Sequence, residues 1–318
     1  PFHPRRLCIG ASQYFGIVGN GKLFVCQAPE ISPGGPSVPL QTLAEFDTNE
    51  SIWDSAWSEE NENIVFVAVG DGTVKVFDVA KPGPPLMNLA GHTAECGSVA
   101  NNMTFKNLIV SASWDNSVRI WDVAVGQCNQ THQSHKQVAY CARWAPQTPT
   151  LCASVAGDGM LNVYDINVPT PVQTIQAHQG EILSMDFNKY NEFIVATGSV
   201  DRSIRLWDRR NPAQPIMQLF GHGLAVRRIK CHPFHGDQLV SGSYDMSVVV
   251  WDIQSGTVLR RFDHHTEFVH GLDLNLFEEN LLATTAWDRS TCVWNCTTGP
   301  PPPNPLPRVP GGAATRAQ

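Results

Sequence analysis

The sequence lacks most of the devices that carry out chemistry. No Gly-rich phosphate loop, zinc-ligand spacing or dinucleotide fingerprint occurs in its 318 residues. Its nine cysteines are scattered, with no CxxC pair and no framework spacing. Cys292 and Cys296 fall on one face of a strand as filler. Reduced, unpaired thiols and a cytosol-like compartment follow. Positive charge is not in excess. The formal net charge of -7 argues against a general nucleic-acid binder, while leaving room for one local basic patch. No apolar run reaches the ~18 residues of a membrane span, so no direct membrane insertion is expected. No signal peptide is visible, and the chain begins at Pro1 instead of a methionine.

What the chain does have is repetition. The stretch TGSVDRSIRLWD, Thr197 to Asp208, reads as a β-hairpin. One strand runs up to Asp201, Asp201-Arg202 turns, and Ser203 to Trp207 alternates again with Ile204 and Leu206 on one face. The octets DGTVKVFD, DNSVRIWD, DGMLNVYD, DRSIRLWD, DMSVVVWD and DRSTCVWN repeat that pattern from positions 71, 115, 158, 201, 245 and 288, in steps of 44, 43, 43, 44 and 43. A second mark keeps phase with the first: His92, His135, His178, His222 and His265 each stand 23 residues before an octet's leading Asp. A Gly-His…Trp-Asp unit of about 40–45 residues is the signature of a four-stranded propeller blade. The fold expected is all-β, a WD40 β-propeller.

Residues 5–26 hold a degenerate copy, with Arg6 to Ser12 as one strand, Asn20-Gly21 as the turn and Lys22 to Cys26 as the return. Counting it makes seven blades over residues 1–298. The inner strand of blade one is expected at or before Pro1, so the chain starts inside that blade. After Asn295 comes TTGPPPPNPLPRVPGG, a poor strand because proline offers no ladder N–H. Ring closure is therefore expected to draw on sequence ahead of Pro1, or else the seventh blade keeps three strands. Residues 28–39 read as a Pro/Gly/Ser loop, Leu40 to Glu45 as the outer strand of blade one, and 299–318 as a disordered low-complexity tail.

Within each blade a polar relay is expected: turn Asp to His, His to the Ser or Thr four residues before the Asp, and that hydroxyl to the Trp indole. The sets are His92/Ser111/Asp115/Trp121, His135/Ser154/Asp158/Tyr164, His178/Thr197/Asp201/Trp207, His222/Ser241/Asp245/Trp251 and His265/Thr284/Asp288/Trp294. Blade two departs, with Thr48, Val67 and Phe77 at those places, and must rely on apolar packing. Ser, His and Asp together resemble a hydrolase triad. Five near-identical copies inside blades fit a structural relay instead, since a nucleophile needs an open site and an oxyanion hole. The relay histidines make no metal site either, each belonging to a different blade. Neither an enzyme nor a cofactor is expected, and binding is.

One end of the ring carries the residues three past each His, namely Ser51, Glu95, Val138, Glu181, Ala225 and Phe268. Two positions on lie Trp53, Gly97, Tyr140, Leu183, Arg227 and His270. The residues before the turn Asp are Gly70, Trp114, Gly157, Val200, Tyr244 and Trp287. Carboxylates (Glu50, Asp54, Glu95, Glu181) thus share an end with aromatics (Trp53, Trp114, Tyr140, Tyr244, Phe268, Trp287). That is the composition of a peptide groove, with aromatic anchors and acids that read a cation. Arg227 and Arg228 either touch ligand, pair with those acids or are solvated.

The strings AHQGEILSMDFNKYNE (177–192), GHGLAVRRIKCHPFHGDQLVSGSYD (221–245), HHTEFVHGLDL (264–274) and QYFGIVGNGKLFV (13–25) resemble the receptors for the type 2 peroxisomal targeting signal, the peroxin seven family. The likeness covers about residues 5–296. It implies a soluble import receptor, moving between cytoplasm and peroxisome, that binds an N-terminal nonapeptide Arg/Lys-Leu/Val/Ile-x5-His/Gln-Leu/Ala of matrix cargo such as a thiolase. It also implies a co-receptor and a peroxisomal docking complex as partners. Positions 1, 2, 8 and 9 of that signal share one side of a helix. Glu95 and Glu181, then Asp54 or Glu50, are the candidates for its basic residue; Trp114, Tyr244, Trp287 and Phe268 for its apolar ones. Two other classes remain open at this stage. One is a ubiquitin-ligase substrate adaptor, through the WDxR box Trp207-Asp208-Arg209-Arg210. The other is a structural scaffold.

Overall fold

The computed structural model describes residues 2–13, 19–30 and 39–297. It is all-β, a seven-bladed propeller, with no α-helix among the described residues. Each sheet is a meander in which every strand pairs antiparallel with the next in the chain. Blade five is representative: Ile182–Phe187 innermost, then Ile194–Ser199, Ser203–Asp208 and the short outer strand Met217–Phe220. Its central hairpin holds the register expected from the octet, with Val195 opposite Trp207 and Thr197 opposite Arg205.

The octet's leading Asp makes the turn by local bonding. The Asp201 carboxylate accepts from the Ser203 N–H at 2.9 Å and the Ser203 hydroxyl at 2.6 Å. That leaves Arg202 in the left-handed region at φ 71°, as are Asn116, Met246 and Arg289 in the matching turns. Such a conformation is costly for a side chain and is held here by the Asp bonds. At Gly159 the glycine itself is required: φ is +74°, and a Cβ would lie 2.3 Å from the His178 carbonyl.

Six apolar clusters fill the six gaps between consecutive blades. In the gap between blades four and five, Val155, Leu161 and Val163 meet Ile182, Met185, Phe187 and Trp207. Between blades seven and one the join is polar. Arg5 grips Glu278 with Nε and Nη2 at 2.6 and 3.0 Å, and the Asn275 amide donates to the Pro4 carbonyl. The first sheet has three strands, Arg6–Ser12, Gly21–Gln27 and Gln41–Thr48. Arg6–Ser12 packs on the inner strand Ile52–Trp57 of blade two as second strands elsewhere do, so the described residues supply no inner strand there. The seventh sheet also has three: Val269–Leu274, Leu281–Ala286 and Thr291–Asn295. The expected outer strand of blade one is shifted and longer, Gln41–Thr48 in place of Leu40 to Glu45. The tail and most of the 28–39 loop lie outside the described residues.

Four relays close completely. In blade six Trp251 donates to Ser241 Oγ at 2.8 Å, that hydroxyl bonds His222 Nε2 at 2.7 Å, and Nδ1 meets Asp245 at 3.0 Å. The sets at His92, His135 and His178 repeat this, with the Tyr164 hydroxyl standing in for an indole in blade four. Burial pushes His92, His178 and His265 below the ordinary imidazole value against the pull of their carboxylates. In these three blades the relay is thus neutral imidazole on ionised carboxylate. Ser111, Ser154 and Ser241 are fully buried, so none is a nucleophile open to substrate.

The fifth relay breaks, against expectation. His265 reaches Asp288 at 3.0 Å and Thr284 at 2.9 Å, but the Trp294 indole nitrogen is buried without a partner among the described residues. The cause is the residue before the His. In blades three and six it is Gly91 or Gly221, where a Cβ would stand 3.0 or 2.9 Å from the Trp ring. Blade seven has His264 there, its ring 4.6 Å from that of Trp294 and its Nε2 3.5 Å from Thr284. His264 takes the hydroxyl's side that the indole would use. Blade two rests on apolar packing as expected, Phe46 against Phe77 at 4.8 Å with Val67 fully buried.

Candidate functional site

One recurrent bond builds the site. The residue before each turn Asp donates its N–H to the carbonyl of the residue just ahead of the inner strand. The six pairs are Gly70–Ser51, Trp114–Glu95, Gly157–Val138, Val200–Glu181, Tyr244–Ala225 and Trp287–Phe268, at 2.8–3.1 Å. The two series of the repeat are therefore hydrogen-bonded neighbours in blades two to seven. Because inner strands all run the same way from this end, Glu95, Glu181 and Trp287 share one opening around the channel.

Aromatic side chains join around that opening. Trp114 lies 5.1 Å from Trp53, Trp53 6.0 Å from His270, and His270 stacks on Trp287 at 6.1 Å and 20°. Phe268 follows at 5.3 Å from Trp287, and Tyr244 at 4.9 Å from Phe268. All are partly exposed, as an anchor surface requires. Tyr140 stands apart from this arc and donates its hydroxyl to Glu181 at 2.8 Å. Burial and the Glu181 charge both raise its pKa, which keeps it a donor.

The acids divide. Glu95 and Glu181 are half-buried and Glu50 is exposed; none has a cationic partner among the described residues. Asp54 is different and is withdrawn as a reader of ligand charge. It lies below the mouth, where Arg143 of blade four reaches it at 3.1 Å and Arg228 of blade six at 3.0 Å. Burial works to raise its pKa, but Arg228 and Arg143 outweigh burial and hold it at about 2. The carboxylate is a tie across the ring with both oxygens taken. Arg228 accordingly pairs with an acid, while Arg227 does not: its Nε donates to His270 Nε2 at 3.2 Å.

Position 270 is legible in the repeat as a channel position, but the repeat assigns it no role. His270 is the link between the two halves of the aromatic arc, and burial with Arg227 and Arg228 nearby keeps it well below the usual imidazole pKa. The available signal was a ring of second positions in which Trp53, Tyr140 and Arg227 already stood beside Gly97 and Leu183. His264, His265 and Cys292 offer ligand atoms within 4.8 Å of one another. Both nitrogens of His265 are already bonded within its relay, so this is packed core and not an open donor set. On the opposite end, Arg210 of the WDxR box pairs with Asp208 of its own box at 2.6 Å.

Comparison with known proteins agrees with the repeat. The family model "WD domain, G-beta repeat" matches residues 83–122, 126–165, 169–208, 213–252 and 256–295. The chain is similar to the peroxisomal targeting signal 2 receptor of Mus musculus, 40% identical over 304 residues, covering 94% of this chain and 93% of that protein. It is similar to that of Dictyostelium discoideum, 42% identical over 281 residues, with 87% of each covered. The receptor of Saccharomyces cerevisiae is 31% identical over 362 residues, covering 93% of this chain and 95% of that protein.

Proposed function

This chain belongs to the peroxisomal targeting signal 2 receptor family of WD-repeat propellers, and on that premise we propose that its mouth binds the type 2 signal as a short amphipathic helix. It is a receptor and not an enzyme. A nine-residue helix is about 13 Å long and presents positions 1, 2, 8 and 9 on one side. Glu95 and Glu181 receive the basic first residue, with Glu50 at the rim. Trp114, Trp53, Trp287, Phe268 and Tyr244 receive the apolar ones, and Tyr140 holds Glu181 in place. A co-receptor then helps deliver the complex to a docking complex at the peroxisome, the receptor shuttling between cytoplasm and organelle. No helix among the described residues is long and apolar enough to cross a membrane.

The observation that carries this reading is two carboxylates without internal cations on the same opening as a joined aromatic arc. The adaptor reading has no matching support, since Arg210 is taken by Asp208. A pull-down with a type 2 signal peptide and its Arg→Asp variant tests the proposal. Retention of the first alone supports it. Retention of neither, with co-purification of a ligase or a large assembly, sinks it.

A further inference from the structure

The throat under the acidic rim is positive. Arg143, Arg227 and Arg228 project there from the inner strands of blades four and six, and Asp54 is the carboxylate that pairs with two of them, Arg143 and Arg228. Three guanidiniums against one carboxylate leave two positive charges in excess. Arg143 and Arg228 share Asp54, so the uncompensated group is Arg227. It is 8% exposed, deeply buried for a charge, and no carboxylate among the described residues lies within ion-pair distance of it. Among the described residues its only side-chain bond runs from Nε to His270, and a neutral imidazole acceptor cancels no charge. Its two Nη groups have no partner among the described residues, yet neither is sealed from solvent. Arg227 is the second residue of its inner strand, the position that Trp53, Tyr140 and His270 hold in the inner strands of blades two, four and seven.

A buried guanidinium with no counter-charge is expensive, and a carboxylate is the ligand that fits its fork with two parallel N–H···O bonds. We propose that Arg227 is a carboxylate seat at the floor of the mouth, engaging an acid of the bound peptide while Glu95 and Glu181 engage its base. This deepens, and rests on, the reading of the mouth as a peptide site. Two sources share the chemistry: an acidic side chain within the helix, and a free C-terminal carboxylate. The mouth then reads a charge pattern and not a net charge, with acid at the rim and base below it. A purely cationic helix satisfies only half of it.

The test is a titration of labelled, C-terminally amidated signal peptides in which Glu replaces Gln at each of the five open positions in turn. Unmodified protein is expected to favour Glu over Gln by about tenfold at one position, and Arg227→Met to erase that preference while still binding the Gln peptide. A second arm compares free and amidated C-termini on the Gln peptide. A preference confined to this arm assigns the seat to a chain end. Arg227→Lys, which keeps the charge but not the fork, is expected to fall between, and guards against a Met variant that folds poorly. Benzoate, titrated alone against tryptophan fluorescence, tests the seat without any peptide. Failure of every signal peptide with saturable, Arg227-dependent benzoate binding would remove the peptide reading and keep the seat. Equal Glu/Gln and end-group ratios in unmodified and Arg227→Met protein, with no saturable benzoate effect, overturn the seat.

Discussion

Replacing Asp54 by Asn removes a charge and almost nothing else. The change leaves Arg143 and Arg228, at 3.1 and 3.0 Å, facing a neutral amide in a throat that already holds Arg227. Two routes give the size of the effect. Loss of one partner of a buried pair costs about 3–5 kcal/mol, mostly from the stranded charge. Independently, a carboxyl held at about 2 instead of 3.8 is worth about 2.4 kcal/mol at neutral pH, at ~1.36 kcal/mol per pKa unit. About 3 kcal/mol satisfies both, a large share of the ~5–15 kcal/mol that separates folded from unfolded chains. Since the folded pKa is depressed, this stabilisation is complete above pH 3.8 and disappears as pH falls through about 2. Urea unfolding of Asp54→Asn at pH 7 is the assay, with Arg228→Met and the double variant completing a cycle. The cycle is expected to show strong coupling, because removing the arginine relieves what removing the acid creates. A stability within about 0.5 kcal/mol of the unmodified chain, the ordinary range for surface changes, would refute the claim that this carboxylate ties the ring.

Three further outcomes follow from the geometry. Glu181→Gln should weaken a type 2 signal peptide by tens of fold in a fluorescence titration, a charge-assisted bond being worth about 1.5–3 kcal/mol, while Tyr140→Phe should weaken it less. Trp121→Phe takes an indole donor from Ser111 and should cost about 1 kcal/mol or more in urea unfolding; Trp294→Phe deletes a donor that has no partner and should cost less. Burial, reinforced by the neighbouring His265, holds His264 at about 4 against 6.5 in the unfolded chain. Between those values the unfolded state binds the extra proton, so stability should fall as pH drops from 6.5 to 4, and His264→Gln should flatten that slope.

The ring was legible because two marks keep phase. A His and a Trp-Asp recurring at 43 or 44 residues cannot both be maintained by loops of arbitrary length. The mouth was legible for the same reason, since a repeat carries each position to the same place in every blade; Glu95, Glu181, Trp114 and Trp287 needed only the register. The tie at Asp54 was not legible. Its partners stand 89 and 174 residues away on other blades, and no periodicity connects them. Asp54 therefore read as one more acid of the mouth. Trp294 misled in the opposite way. Its position fits the relay, but a single side chain, His264 where the other relay blades have the smaller Gly91, Ser134, Ala177 and Gly221, diverts the hydroxyl. Repetition predicts what blades have in common, and cross-ring contacts and single-blade substitutions are what it leaves out.

The account stands most directly on where a bound signal lies. A type 2 signal peptide carrying a photo-crosslinker at position 1, and a second carrying it at position 9, can be mapped by mass spectrometry after irradiation. Position 1 is expected to label the segments around Glu95 and Glu181, and position 9 those around Phe268, Tyr244 and Trp287. Label on the opposite end near Arg210, or spread along the outer strands, would contradict the mouth as the binding surface.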